Sequence, residues 1–291
     1  MSVKTNNPVE STYGTPKPAP SGSTAASIPH PPPISSSTHC IAGLLVNVYG
    51  VEELQPSATD VAVLWLLHPR LQTQACMAPF AAHIIQSYNS RPSSKSKGLI
   101  AASFDQRNHG SREVSKISNE AWRQGNEKHA QDMFSSYQGT SVDTSQLMDY
   151  IAAYVFPSNE RKIVQNLVMG ISLGGHAAWH VLMQDSRVSA AIATIGCPDY
   201  ARLMSDRARL SKRETWSEGD GRDFLGSKDF PVGLVESVRK YDPAGLIWGT
   251  LGRREGQEHL YDEVTQEEKS RIMPVMTRSF GNKRLLCLAG G

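Results

Sequence analysis

The sequence predicts an α/β fold: a mostly parallel, twisted sheet with helices on both faces and a helical insertion late in the chain. From about residue 39, short apolar runs of strand type alternate with segments whose apolar residues recur at helical spacing. That alternation is the pattern of parallel strands joined by crossover helices. Residues 199–280 then break the rhythm, being polar, helical and Trp-containing, before strand character returns near 283. The 291 residues suffice for one large α/β domain.

Residues 1–38, with "KPAPSGSTAASIPHPPPISSST", hold almost no large apolar groups. Such a segment buries too little surface to offset its ordering entropy, so it is expected to be a disordered leader ahead of a domain over 39–291. "IAGLLVNVYGVEEL" (41–54) predicts one or two edge strands and "VAVLWLL" (61–67) a buried strand ending at His68-Pro69-Arg70. "ACMAPFAAHIIQSYN" (75–89) reads as a helix with Met77, Phe80, Ala81, Ile84 and Ile85 on one side. "GLIAASFD" (98–105) is strand. A helix is expected over 140–156, where cap-type residues precede Leu147, Met148, Ile151 and Val155 on one face. Strand 163–170, helix 175–183 and strand 190–196 follow. The insertion, about 200–280, is expected to cap the sheet, and 283–290 supplies the last strand.

A formal charge of +2 with 20% charged residues argues against a nucleic-acid partner or an acidic membrane surface. The group Arg207–Arg213 reads as a solvated face. No run reaches the ~18 apolar residues of a membrane span, so membrane insertion is not expected. The N-terminus lacks the pattern of a secretory signal. The four cysteines are far apart in sequence, which suggests reduced thiols, a cytoplasmic location and no metal site. Oligomeric state is left open.

The chemistry centres on "NLVMGISLGGHAAWH" (166–180). Gly170-Ile171-Ser172-Leu173-Gly174 fits G-x-S-x-G between a strand and a helix, the context this pattern requires. A turn that sharp forces the serine into strained backbone angles, and Gly170 and Gly174 remove the side chains that would collide. The hydroxyl then stands at a helix N-terminus, where developing negative charge is favoured. The competing reading is a glycine-rich turn whose serine only caps the helix. A phosphate loop is disfavoured, because the stretch lacks both the Lys-Ser/Thr ending of G-x-x-x-x-G-K-[ST] and the spacing of G-x-G-x-x-G.

On these residues the chain, over roughly 40–291, resembles the α/β-hydrolase superfamily. "LWLLHPRLQT" resembles its oxyanion loop after the third strand. "SFDQRNHGSRE", with Asp105, Arg107, His109 and Gly110, resembles its stretch after the fourth, and "RLLCLAGG" its seventh strand. "FDQRNHGSREVS" and "GCPDYARLMSDRARLSK" are also similar to uncharacterised fungal members. The resemblance implies a serine nucleophile at Ser172, with Leu173 N–H and an N–H of Arg70 or Leu71 as the oxyanion hole, since Pro69 has no N–H to give. His68, Asp105, Arg107 and His109 would hold the loops beside the site. No metal or organic cofactor is implied.

The triad acid and base are harder to place. The family order of Ser, acid, His puts the acid after strand seven and the histidine after strand eight, both past Gly291, so the chain is expected to be a C-terminally shortened hydrolase. Asp199 in "GCPDY" is an alternative acid, or simply a helix cap. His259, the one histidine downstream of His180, is a candidate base or an exposed polar residue. His176 reads as packing or capping.

The leading expectation is a serine hydrolase cleaving an ester, thioester or small amide of a small-molecule substrate through an acyl-enzyme on Ser172. The alternative is a hydrolase-like protein without activity that binds a small apolar ligand. Trp216, Phe224, Phe230 and Trp248 fit either an apolar pocket or core packing.

Overall fold

A computed structural model describes residues 32–248 and 265–289. Most of the expected leader, and His259, lie outside the described residues.

The chain enters through a hairpin, β1 (Ser36–Ile41) and β2 (Leu44–Tyr49), turned by Ala42-Gly43. Next come β3 (Asp60–Leu67), a 3-10 turn (Gln74–Met77), α1 (Ala78–Asn89) and β4 (Lys97–Phe104). β3 and β4 are buried along almost their whole length, as expected of continuous apolar runs in the middle of a parallel sheet. A long loop leads into α2 (His129–Val155), followed by β5 (Lys162–Ile171), α3 (Leu173–Gln184) and β6 (Val188–Thr194). Among the described residues five helices come next: α4 (Tyr200–Leu210), α5 (Glu214–Ser217), α6 (Val232–Tyr241), α7 (Pro243–Trp248) and α8 (Gln266–Ser279). β7 (Arg284–Leu288) completes the sheet.

The seven strands are ordered β1-β2-β4-β3-β5-β6-β7. β2 is antiparallel to both neighbours, and every pairing from β4 to β7 is parallel. Strand alternation sorts the side chains into two cores. Ala62, Leu64, Leu66, Leu99 and Ala101 meet Met77, Ala81 and Ile85 of the turn and α1. Val63, Trp65, Leu67, Ile100, Ala102, Phe104 and Val168 face α2 and α3 on the opposite side.

α2 starts at His129, not near 140 as the sequence suggested. The cap-type residues at 140–144 lie inside the helix instead, with the Thr140 and Thr144 hydroxyls donating to the carbonyls of Ser136 and Thr140, and Gly139 before them has a steric use. A Cβ on it would lie 2.5 Å from Arg107 Cδ, so the glycine lets that side chain cross the helix to Asp143 at 2.9 Å. Ala130, Met133, Phe134 and Tyr137 are buried along the added turns.

The segment between β6 and β7 is anchored on the N-terminal half of α2. Tyr200 donates to Ala130 O at 2.6 Å, and Arg213 bridges Asp229 and Glu127. Phe224 and Phe230 are fully buried there and serve as packing. β7 pairs with β6 and leaves Leu286 and Leu288 about half exposed, at 51% and 47%.

Candidate active site

Ser172 joins the C-terminal end of β5 to the first turn of α3 with φ 54° and ψ −111°. A non-glycine residue in that region costs roughly 1–3 kcal/mol and persists only where its surroundings hold it. Two hydrogen bonds do so here: Ser172 N–H to Thr194 O at 2.8 Å, and His176 N–H to Ser172 O at 3.0 Å. The glycines follow from crowding. A Cβ on Gly170 would stand 1.9 Å from Gly174 O, and one on Gly174 would stand 2.1 Å from Leu67 O. Ser172 is partly exposed, and its side chain makes no capping bond to α3. The hydroxyl is therefore not spent on capping.

Leu173 is the first helical residue, so no carbonyl within α3 can take its N–H. Beside it, residues 69–72 form a turn closed by Gln72 N–H on Pro69 O at 3.3 Å, with Leu71 at φ 63°. A positive φ at the third position is type II geometry, which flips the Arg70–Leu71 peptide. Because the turn's own bond uses Gln72, the N–H groups of Arg70 and Leu71 are not consumed by it.

The loop after β4 braces this turn. Asp105, almost wholly buried, accepts from Gln74 N–H at 2.8 Å with one oxygen. Its other oxygen takes Ser111 N–H and Oγ–H at 2.8 and 2.9 Å. Arg107 is held by Asp143, as described above. His68 Nδ1–H donates to Pro69 O at 2.8 Å while Nε2 accepts from Gln106 N–H at 2.9 Å. Both ring nitrogens are thus committed, and burial holds the imidazole down at about 4. His109 donates through Nδ1 to Arg107 O at 2.9 Å and packs edge-on against His68. Its Nε2 is buried without a partner among the described residues.

On the other side, His176 Nδ1 lies 2.9 Å from Cys197 O, and its ring stacks on Tyr137. Asp199 caps α4 by accepting Arg202 N–H at 3.0 Å. Among the described residues no side chain hydrogen-bonds Ser172 Oγ, and no group of three His, Cys, Asp or Glu is arranged to hold a metal ion. No described helix is long and apolar enough to cross a membrane. A hollow of about 330 Å³, lined by Met183, Gln184 and Lys283, lies at the far end of α3 and does not touch the elbow.

One group near the site is not foreshadowed by the sequence. Arg207 does not sit on a solvated face: it is partly buried, with Nη1 3.2 Å from His129 Nε2 and 3.0 Å from Met133 Sδ. Neither residue carries a motif, and some seventy residues of chain separate them from Arg207, so only folding brings them together.

No family model and no curated protein matches the chain. Among solved structures it is similar to a Thermus thermophilus protein, at 16% identity over 89% of this chain and 90% of that one, TM-score 0.47. It is also similar to a Pyrococcus furiosus esterase, at 12% identity over 88% and 83%, TM-score 0.39. A third is an S-formylglutathione hydrolase from Agrobacterium tumefaciens, at 16% identity over 87% and 85%, TM-score 0.40. With scores this low, the assignment rests on the chain's own geometry. A sheet ordered β1-β2-β4-β3-β5-β6-β7, antiparallel only at β1 and β2, carries a positive-φ serine between β5, the neighbour of the middle strand β3, and the next helix: the chain has the α/β-hydrolase fold.

Proposed function

We propose that the chain is a serine hydrolase in which Ser172 Oγ attacks the carbonyl carbon of an ester, thioester or small amide. The observation that carries this reading is the strained elbow itself. A serine held at φ 54° with its hydroxyl not used for capping has a structural cost and no structural use. The tetrahedral oxygen would be held by Leu173 N–H and by the N–H of Arg70 or Leu71, where charge grows in the transition state. The insertion over about 200–280 would border the substrate.

Attack requires a base to take the hydroxyl proton. His68 has both nitrogens engaged, and Asp199 is occupied as a cap. His259, which lies outside the described residues, remains the proposed base.

That no described side chain bonds Ser172 Oγ favours a second reading, a hydrolase-like binding protein without turnover. A fluorophosphonate probe separates the two. Labelling of the purified chain that disappears in Ser172→Ala supports the hydrolase. A folded chain that is not labelled at all supports the binding protein.

A further inference from the structure

Among the partly buried arginines elsewhere in the described residues, Arg161 rests on the carbonyls of Gln55 and Ala58 at the bottom of the sheet, and the other two are matched by carboxylates. Arg112 meets Asp143 at 2.9 Å and Arg213 meets Asp229 at 2.8 Å. Arg70 and Arg207 break this pattern. The Arg70 guanidinium reaches only the neutral carbonyl of Asn119 through Nη1. Arg207 reaches only His129 Nε2 and Met133 Sδ, again through Nη1. Nε and Nη2 of both have no acceptor among the described residues. The nearest acids do not close the gap: Glu120 acts on Arg70 and Asp206 on Arg207 without pairing, and Asp206 is bonded to Arg209 at 2.7 Å.

One short segment links these two cations: Arg70 Nη1 bonds Asn119 O, His129 Nδ1 bonds the O of the next residue, Glu120, at 2.9 Å, and Arg207 Nη1 lies 3.2 Å from His129 Nε2. Burial, then the charge of Arg207, pushes the Arg70 guanidinium below its ordinary value. Burial also lowers Arg207. After burial, Arg207 and Arg70 together hold His129 down, to about 3. His129 donates Nδ1–H to Glu120 O at 2.9 Å, so Nε2 is a lone pair facing Arg207, and this imidazole adds no positive charge. Arg70 belongs to the proposed oxyanion turn. Arg207 projects from α4, whose chain leaves the sheet after β6, and its charge is felt at His176, one turn along α3 from Ser172. Two partly desolvated cations near one another repel and forgo part of their hydration, while their free N–H groups stay open to a ligand. A negative ligand between them relieves both costs, and the planar fork of arginine matches an oxyanion with paired hydrogen bonds.

We infer that Arg70 and Arg207 form an anion subsite beside Ser172, so that the substrate carries a carboxylate or phosphate group a few bonds from its scissile carbonyl. This rests on the serine hydrolase reading for the word substrate; the anion site itself does not need turnover.

The test has two arms. In the first, 4-nitrophenyl hydrogen glutarate is compared with neutral 4-nitrophenyl pentanoate, which has the same number of acyl carbons. The ratio of their kcat/KM values is expected to exceed about tenfold in the intact chain and to fall about tenfold or more in Arg207→Gln. In the second arm, glutarate and inorganic phosphate are titrated separately into Ser172→Ala and into Ser172→Ala/Arg207→Gln, with Tm as readout. A rise with either anion that needs Arg207 supports the site, and which anion acts tells carboxylate from phosphate. No rise with either one overturns it, even if esters are hydrolysed. Failure of the hydrolase reading shows separately, as absence of ester turnover and of fluorophosphonate labelling. Should Arg207→Gln not fold, Arg207→Lys keeps the charge without the fork, and loss of the Tm rise in that variant supports the site in the same way.

Discussion

Gly174 and Leu67 are in backbone contact: a methyl group on residue 174 would stand 2.1 Å from the Leu67 carbonyl oxygen. That contact seats the first turn of α3 against the end of β3, bringing the serine and the turn at 69–72 side by side. Neither backbone can move without breaking strand pairing, as Leu67 is paired with Gly170. Gly174→Ala is therefore expected to cost roughly 1–3 kcal/mol, the usual cost of overpacking, or more. Urea unfolding measures it, and fluorophosphonate labelling should fall with it. A variant of unchanged midpoint and labelling would contradict the contact.

Strain at Ser172 predicts an inverse relation between stability and chemistry. Glycine adopts φ 54° without steric penalty, whereas alanine does not. Ser172→Gly is expected to gain about 1 kcal/mol over the parent chain and Ser172→Ala to lie close to the parent, both without labelling. Equal midpoints for glycine and alanine at this position would mean that the backbone is not strained.

Asp105 ties the loop after β4 to the turn that follows the proposed oxyanion segment. Replacement by alanine leaves the N–H groups of Gln74 and Ser111 without their acceptor. Charge-assisted bonds of this kind are worth about 1.5–3 kcal/mol each, so a loss of at least about 2 kcal/mol is expected. Asp105→Asn, which keeps one acceptor oxygen, should lose less. The two urea midpoints, compared directly, check the order.

Buried histidines predict acid sensitivity. Burial holds His68 at about 4 and His129, His176 and His180 at about 3, against an ordinary 6.5. A depressed histidine favours the folded state above 6.5, and that contribution is lost as pH falls from 6.5 toward the folded value. Below 6.5 the unfolded chain binds protons that the folded chain refuses, at about 1.4 kcal/mol per pH unit per histidine. Asp242, pushed up by burial beside His180, acts the other way, favouring the fold at acid pH and losing that contribution as pH rises through its raised value. Four histidines outweigh one carboxyl between about pH 4 and 6.5. Urea midpoints at pH 7 and pH 5 should differ in that direction, and His129→Gln should flatten the slope by about one proton.

Much of the sheet was legible because its strands are written in strongly apolar runs. β3, β4, β5 and β6 lie within two residues of their expected positions at each end. The start of α2 was not legible: Thr140 and Thr144 resemble caps until their hydroxyls are seen bonding helix carbonyls, and the helix passes through Gly139 because Arg107 crosses it there. The elbow was legible because a local steric demand leaves glycines in the sequence around Ser172. Asp199 was readable as acid or cap, and it caps α4.

By itself the sequence determined what depends on neighbours along the chain: the alternation of strand and helix, and a serine that only glycines can accompany through so tight a turn. Tertiary structure alone decided which charges meet. Arg70 and Arg207 stand far apart in sequence with no motif that links them, and their lack of a carboxylate partner among the described residues appears only once α4 and the turn after β3 meet around His129. Electrostatic pairing acts through space, and spacing along the chain does not encode it.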